Sequence, residues 1–128
     1  MNEISDSAVV AALRRQMTVA VARQVAAAGN VANLDTPGFK AREVSFDETL
    51  LRKTGTLAAT DPGHIGSQAS ASGIVMREAA GAARRDGNTV QLDRELLTMS
   101  RAAGDFAAAQ TALAAKFRLV RYAINEGR

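Results

Sequence analysis

The sequence predicts a mainly α-helical fold, with two long terminal helices that form an antiparallel coiled-coil-like pair. A loosely structured middle segment, containing a short helix and turn or extended pieces, is expected to join them. Apolar residues recur at alternating spacings of three and four over residues 8–34 and again over 94–125. The 128 residues suit a single domain, 1–128. With only 4% aromatic residues, the apolar surface is shallow, so we expect partners to complete the core.

The N-terminal helix is predicted over residues 8–34 because its apolar positions fall on one stripe. Val21 and Val25 widen this stripe, and Gln24 interrupts it. Ala27 also follows the spacing, and we take as the candidate helix interface Val10, Leu13, Met17, Ala20, Gln24, Val31 and Leu34.

A turn is predicted directly after this helix. Pro37 has no backbone N–H and moves Thr36 out of the α region, while Gly38 accepts backbone angles that other residues resist. Asn30 and Asn33 lie in the last turns of the helix, where either side chain can bind local backbone. The candidate assembly turn consists of Asn30, Asn33, Asp35, Thr36, Pro37, Gly38 and Phe39.

The middle segment, residues 35–93, contains few large apolar side chains. Ser45 and Glu48 have the spacing of a capping box, which predicts a short helix over residues 46–53. Residues 54–88 are rich in small residues, so we expect 66–73 to be mobile in the isolated subunit. For residues 74–85 two outcomes stay open: a weak helix, or order that forms only on assembly.

The C-terminal helix is predicted over residues 94–125. Asp86, Gly87 and Asn88 signal a turn, two or three extended residues follow it, and Asp93 is a candidate N-cap. The apolar heptad is regular over four repeats, and at 1.5 Å per residue the helix is about 48 Å long. Ala103 also follows the heptad, and the candidate interface comprises Leu96, Met99, Phe106, Gln110, Leu113, Phe117, Val120 and Ile124.

Each terminal stripe contains one glutamine at the same phase, Gln24 in the first helix and Gln110 in the second. One hypothesis is that the helices pack antiparallel with both glutamines buried near the middle, where they fix the register. The alternative is that each glutamine lies at the edge of its stripe, beside water.

Enzymatic, metal and cofactor sites are not expected in this chain. It has no cysteine and one histidine, His64, which lies near Asp61 without a nucleophile or second catalytic motif. The net charge of +3 is scattered, so we expect no nucleic-acid binding. The acidic start argues against a cleaved signal peptide, and arginines interrupt the long apolar stretch, which argues against membrane insertion: Arg14, Arg15 and Arg23.

Residues 30–41, NVANLDTPGFKA, resemble the N-terminal signature shared by rod, hook and hook-associated proteins of the bacterial flagellum. Residues 42–46, REVSF, and 86–95, DGNTVQLDRE, resemble the proximal rod proteins in particular, and 60–65, TDPGHI, resembles their central motif. Phe39 and Phe106 stand where the family often has tyrosine. This change removes a hydroxyl group and keeps the ring.

The resemblance implies a structural subunit of the proximal rod of the flagellar basal body, which transmits torque and forms part of the export channel. Implied partners are copies of itself, other rod proteins, proteins at the rod base (inner-membrane ring or export gate) and the flagellar type III export apparatus. Export without a cleaved signal peptide into the periplasm-spanning rod is also implied. The alternative is a helical-hairpin interaction module, such as an adaptor or secretion chaperone, that is not incorporated into a rod.

Overall fold

The fold is a pair of long helices with a two-stranded sheet at one end. A computed structural model describes residues 6–46 and 73–125. Helix α1 covers Asp6–Ala32 and helix α2 covers Leu92–Asn125. Strands β1, Arg42–Phe46, and β2, Ile74–Glu78, lie between them in the chain. The predicted helical fold class is confirmed, and the helix bounds lie within two residues of 8–34 and 94–125.

Three polar pairs show that the two helices run antiparallel. Asp6 at the start of α1 accepts a hydrogen bond from Lys116 at 2.5 Å, and Arg23 forms an ion pair with Asp105 at 3.8 Å. Near the end of α1, Asn30 donates to Glu95 in the first turn of α2. Helix α2 therefore continues for nine residues, 117–125, past the level of Asp6, which is about 13 Å.

Small side chains dominate the core of the described residues. Its buried apolar residues are six alanines and three valines, and the largest fully buried side chains are two asparagines, Asn30 and Asn88. Alanine lets helix backbones approach closely but contributes little apolar area per residue. The buried apolar residues are Val19, Ala20, Ala26, Ala27, Ala41, Val44, Val90, Ala102 and Ala109.

Strands β1 and β2 pair antiparallel, with Val44 opposite Met76 and Phe46 opposite Ile74. The weak helix considered for residues 74–85 is wrong, because Ile74–Glu78 is a strand. β-Branched and aromatic residues fit the pleated surface, and this non-local pairing overrides a weak helical tendency. Ser45 and Phe46 belong to β1, so the predicted helix does not begin at 46.

Several predictions lie outside the described residues. These are the remainder of the helix over 46–53, the mobility of 66–72, the central motif at 60–65 and the role of His64. Gly73, at the edge of that segment, is buried with a φ of 63°. Within the described ranges, neither helix is sufficiently long and apolar to cross a membrane.

Candidate assembly site at the junction of the two helices

The end of α1 is closed by hydrogen bonds within the turn segment, which we define as residues 33–41. The side-chain amide of Asn33 donates to the Gly29 carbonyl at 2.9 Å and thereby caps α1, as predicted from the sequence. Asn33 also accepts from the Thr36 hydroxyl at 3.2 Å. Gly38 has a φ of 72°, which explains why glycine suits this position. The turn segment is therefore a specific structure at the end of the helix.

The turn segment binds a second segment, residues 84–90, which we call the loop segment. The backbone N–H of Gly38 donates to the Asp86 carbonyl at 2.8 Å, and that of Thr89 donates to the Phe39 carbonyl at 3.0 Å. The Thr89 hydroxyl accepts from the Ala41 N–H at 2.9 Å. A Cβ placed on Gly87 would lie 3.5 Å from the Gly38 Cα. These two segments, about 50 residues apart in the chain, form one unit with the neighbouring residues Asn30 and Glu95, and we call this unit the junction.

Asn88 lies at the centre of the junction and is completely buried. Its side-chain amide donates to the carbonyls of Asn33 at 2.9 Å, Leu34 at 3.1 Å and Thr36 at 2.8 Å. Its side-chain oxygen accepts from the Val90 N–H at 2.7 Å. Asn88 therefore satisfies backbone groups of the turn segment that lack a helical partner.

Two basic side chains add to the junction at its surface. Arg84 donates to the Leu34 carbonyl, an oxygen that Asn88 also contacts. Lys40 donates to the Gly87 carbonyl at 3.0 Å. Each segment therefore donates a hydrogen bond from a basic side chain to a backbone carbonyl of the other segment.

Asn30 connects α1 with both β1 and α2 and is 1% exposed. Its amide donates to the Arg42 carbonyl at 2.8 Å and to a Glu95 carboxylate oxygen at 3.0 Å. Its side-chain oxygen accepts from the Arg42 N–H at 2.9 Å. Glu95 is itself buried, at 5% exposure. Asn30 therefore binds distant partners, whereas Asn33 binds its own helix.

The structure brings most of the predicted turn residues into the junction. Asn30, Asn33, Thr36, Gly38 and Phe39 each make a hydrogen bond described above. Asp35 and Pro37 are exposed on its surface.

Sequence reasoning missed Asn88, Thr89 and Glu95 as members of the junction. The available signal is the polar run 86–89, of which residues 86–88 are predicted only as a local turn. Their partners lie 48 to 65 residues away in the chain, so no local pattern indicates them.

The N-terminal stripe faces the protein interior in large part. Ala20 and Ala27 are buried, Gln24 is exposed, and the larger apolar residues are half-buried. Whether the stripe contacts neighbouring subunits stays a prediction. The half-buried set is Val10, Leu13, Met17, Val31 and Leu34.

The C-terminal stripe is divided between two faces of α2. Met99, Phe106 and Leu113 are half-buried, while the fully buried positions of α2 are Glu95, Ala102 and Ala109. The other predicted positions are exposed in the subunit, and their contacts in an assembly stay a prediction. They are Leu96, Ala103, Gln110, Phe117, Val120 and Ile124.

The two glutamines lie beside solvent and do not face each other. Both Gln24 and Gln110 are exposed, which agrees with the alternative that each lies at the edge of its stripe. Interpolation between the Arg23–Asp105 and Asp6–Lys116 pairs places them about two helical turns apart along the axis.

No feature of the described residues suggests a metal or substrate site. They hold no group of three or more potential metal ligands among His, Cys, Asp and Glu. A cleft of about 150 Å³ between α1, β1 and α2 is lined by charged residues. Two of them, Arg94 and Glu43, pair with each other at 3.3 Å.

Comparison with known proteins identifies the family. The flagellar basal body rod protein FlgB of Salmonella typhimurium is 37% identical over 99 residues, which cover 66% of this chain and 72% of that protein. FlgB of Bacillus subtilis is 25% identical over 119 residues, 91% of this chain and 92% of its own. FlgB of Aeromonas hydrophila is 38% identical over 71 residues, 52% and 54% of the two chains. No protein-family model matches the sequence. The chain belongs to the FlgB family of flagellar basal body rod proteins.

Proposed function

We propose that this protein is a structural subunit of the proximal rod, which packs helically with its neighbours, transmits torque and forms part of the export channel. Its proposed partners are copies of itself, other rod proteins, proteins at the base of the rod and the type III export apparatus. No step requires catalysis, a cofactor, nucleic acid or membrane insertion. Family membership favours this function over that of an unrelated helical-hairpin adaptor or secretion chaperone.

The observation that carries this proposal is the projecting end of α2, residues 117–125. Five large apolar side chains there are between 42% and 67% exposed. Three of them, Phe117, Val120 and Ile124, share one face of the helix by their spacing of three and four, and exposed apolar side chains grouped in this way mark interaction surfaces in soluble proteins. A neighbouring helix would cover these side chains in a rod. They are Phe117, Leu119, Val120, Tyr122 and Ile124.

The junction supports the mechanical part of the proposal. Torque must pass between helices without separating them, and hydrogen bonds from Asn30 and Asn88 join the end of α1 to the start of α2 and to β1. In this proposal the turn at residues 35–39 redirects the chain across the subunit interface, while α1 and α2 interlock with neighbours.

The first experiment is to purify hook-basal bodies from the source bacterium and from a strain that lacks this gene. Mass spectrometry tests for the protein in the rod, and electron microscopy tests for the rod itself. We expect the protein in wild-type rods and no rod in the deletion strain. Intact rods in the deletion strain would contradict the proposal.

The projecting surface is tested by complementing the deletion with the double variant Phe117→Ser and Ile124→Ser. We expect lost motility with unchanged helicity of the purified subunit, because both side chains are exposed in it. Leu97→Ser is the matched control, since Leu97 is 50% exposed on the same helix and lies outside the projecting end. Equal motility in the double variant and the control would remove the projecting end from the interface.

The turn is tested by Pro37→Ala and Gly38→Val. We expect both variants to impair rod assembly more than export, because they change backbone geometry far from the projecting end of α2. Secretion of the variant into the medium, compared with the rod count by electron microscopy, separates the two effects. An unaffected rod in both variants would exclude this role of the turn.

A further inference from the structure

We propose that Asn30 and Glu95 set the stagger of α1 and α2, and so determine how far α2 projects beyond α1. They act as positioning residues at the start of α2, by means of the 3.0 Å hydrogen bond between them. The significance for assembly rests on the proposed function, but the stagger is a property of the isolated subunit and is tested there.

The stagger is the position of α2 along α1. The apolar contact between the two helices does not by itself favour one stagger strongly over another. Helices α1 and α2 contain nine alanines each. Their buried apolar residues are Val19, Ala20, Ala26 and Ala27 in α1 and Ala102 and Ala109 in α2, so all but one are alanine. If α2 slides along α1 by one helical turn, 5.4 Å, a small side chain on one helix loses one small neighbour on the other and meets another. In coiled coils, large interlocking side chains prevent such slides. The large apolar side chains of α2 are only half-buried or exposed, so they oppose a slide weakly.

Two ion pairs that join the described parts of the helices, Arg23–Asp105 and Asp6–Lys116, are also weak determinants of stagger. Asp105 and Asp6 have 50% and 74% exposed side chains, and exposed pairs of this kind contribute about 0–1 kcal/mol. Long flexible side chains such as those of Arg23 and Lys116 can follow a moving partner.

Asn30 and Glu95, in contrast, are buried and geometrically fixed. Two hydrogen bonds to the backbone of Arg42 hold the Asn30 amide in place and direct its remaining N–H towards Glu95. A slide of one turn separates that N–H from the carboxylate and leaves both groups buried without each other. Leaving buried polar groups without partners costs free energy, and this cost favours the original stagger.

The junction restricts a slide to one direction. Asn88 and Thr89 hold the chain up to the start of α2, so α2 moves only if its own first turn unwinds. Extending residues 92–95 from about 1.5 to about 3.3 Å per residue releases about 7 Å, which exceeds one turn. Glu95 lies in that first turn, so its bond to Asn30 also holds the turn wound. Loss of the bond should lengthen the projecting end.

The test is a cysteine scan on the purified full chain, which contains no natural cysteine. One cysteine replaces Ala20, and a second is placed in turn at positions 102, 105, 109 and 112. Interpolation between the Arg23–Asp105 and Asp6–Lys116 pairs places Ala20 opposite about residue 107 of α2. Ala109 is the buried α2 residue nearest that level, so the fastest disulfide formation is expected at position 109. In Glu95→Leu we expect the maximum to move to position 105, a shift of about one turn. Hydrogen exchange should show lost protection of the amides of residues 96–98.

Three further variants separate stagger from general stability. Glu95→Gln keeps an oxygen that accepts from Asn30, so it should restore the maximum at position 109. Gln110→Leu replaces a polar side chain with leucine at an exposed position of α2 outside the first turn and should also leave the maximum unchanged. Glu95→Ala removes the carboxylate without adding bulk and should shift the maximum as Glu95→Leu does.

Two results would overturn the inference. One is a single maximum at position 109, with protected first-turn amides, in Glu95→Leu and Glu95→Ala. The other is loss of helical circular dichroism in both variants, because the pair would then be required for folding rather than for stagger. Either result leaves the rod proposal untouched, since that depends on the hook-basal body experiment.

Discussion

Replacing Asn88 with alanine should be among the most destabilising single changes in this protein. The substitution removes two donor hydrogens shared among three carbonyls, and one acceptor bound to the Val90 N–H. Taking about 1 kcal/mol for each of three net hydrogen bonds gives a loss of about 3 kcal/mol. Small domains are stable by about 5–15 kcal/mol in total, so the fold should persist with a much lower margin.

Urea unfolding followed by circular dichroism at the helical band measures this loss. With a denaturant slope of about 1–3 kcal/mol/M, a 3 kcal/mol loss lowers the midpoint by about 1–3 M. Asn125→Ala is the matched control, because Asn125 is exposed at the end of α2, and it should change stability by less than about 0.5 kcal/mol.

Asn88→Asp distinguishes hydrogen bonding from packing. Aspartate has nearly the shape of asparagine and leaves no cavity, yet it places an oxygen against three carbonyl oxygens. We expect a loss at least as large as that of alanine. A loss below about 1 kcal/mol in either variant would refute the assignment of Asn88 as the centre of the junction.

Three further outcomes follow from backbone geometry and surface charge. Gly38→Ala should cost about 1–2 kcal/mol by thermal melting, because φ is 72° and the space around a new Cβ is open, so the cost is conformational. Gly29→Ala should instead stabilise by about 0.5–1 kcal/mol, since Gly29 lies within α1 and nothing lies within 4 Å of its Cβ position; a lower melting temperature would contradict this. Glu43→Gln should cost under about 1 kcal/mol, and the difference should vanish in about 1 M NaCl, because the pair with Arg94 is half exposed.

The helices could be predicted from the sequence because helical periodicity is a local property. Spacings of three and four report directly which residues share a face of a helix. The predicted bounds of α1 and α2 differ from the observed bounds by at most two residues. The strands could not be predicted in the same way. Residues 42–46 find their partner about 30 residues later, and only that pairing makes either segment a strand.

The facing side of α2 shows a different limit of sequence reasoning. The heptad grouped the large apolar residues of α2 into one candidate interface, whereas the fully buried apolar positions of α2 are Ala102 and Ala109. Periodicity shows that a stripe exists without showing which neighbour covers it. Phe117 and Ile124 belong to the predicted stripe and extend beyond α1. Sequence alone does not separate contacts within a subunit from contacts between subunits.

Because Asn88 binds backbone atoms of the turn segment through its own side chain, we expect substitutions to be tolerated better in the turn segment at Leu34 than in the loop segment at Asn88. Asn88 binds main-chain oxygens of Asn33, Leu34 and Thr36, and every amino acid supplies such an oxygen. The side chain of Leu34 can therefore vary without altering this contact, whereas Asn88 has no equivalent among the other residue types that fits the same space with the same donors. A random mutagenesis library selected for the stably folded subunit should accept more residue types at position 34 than at position 88.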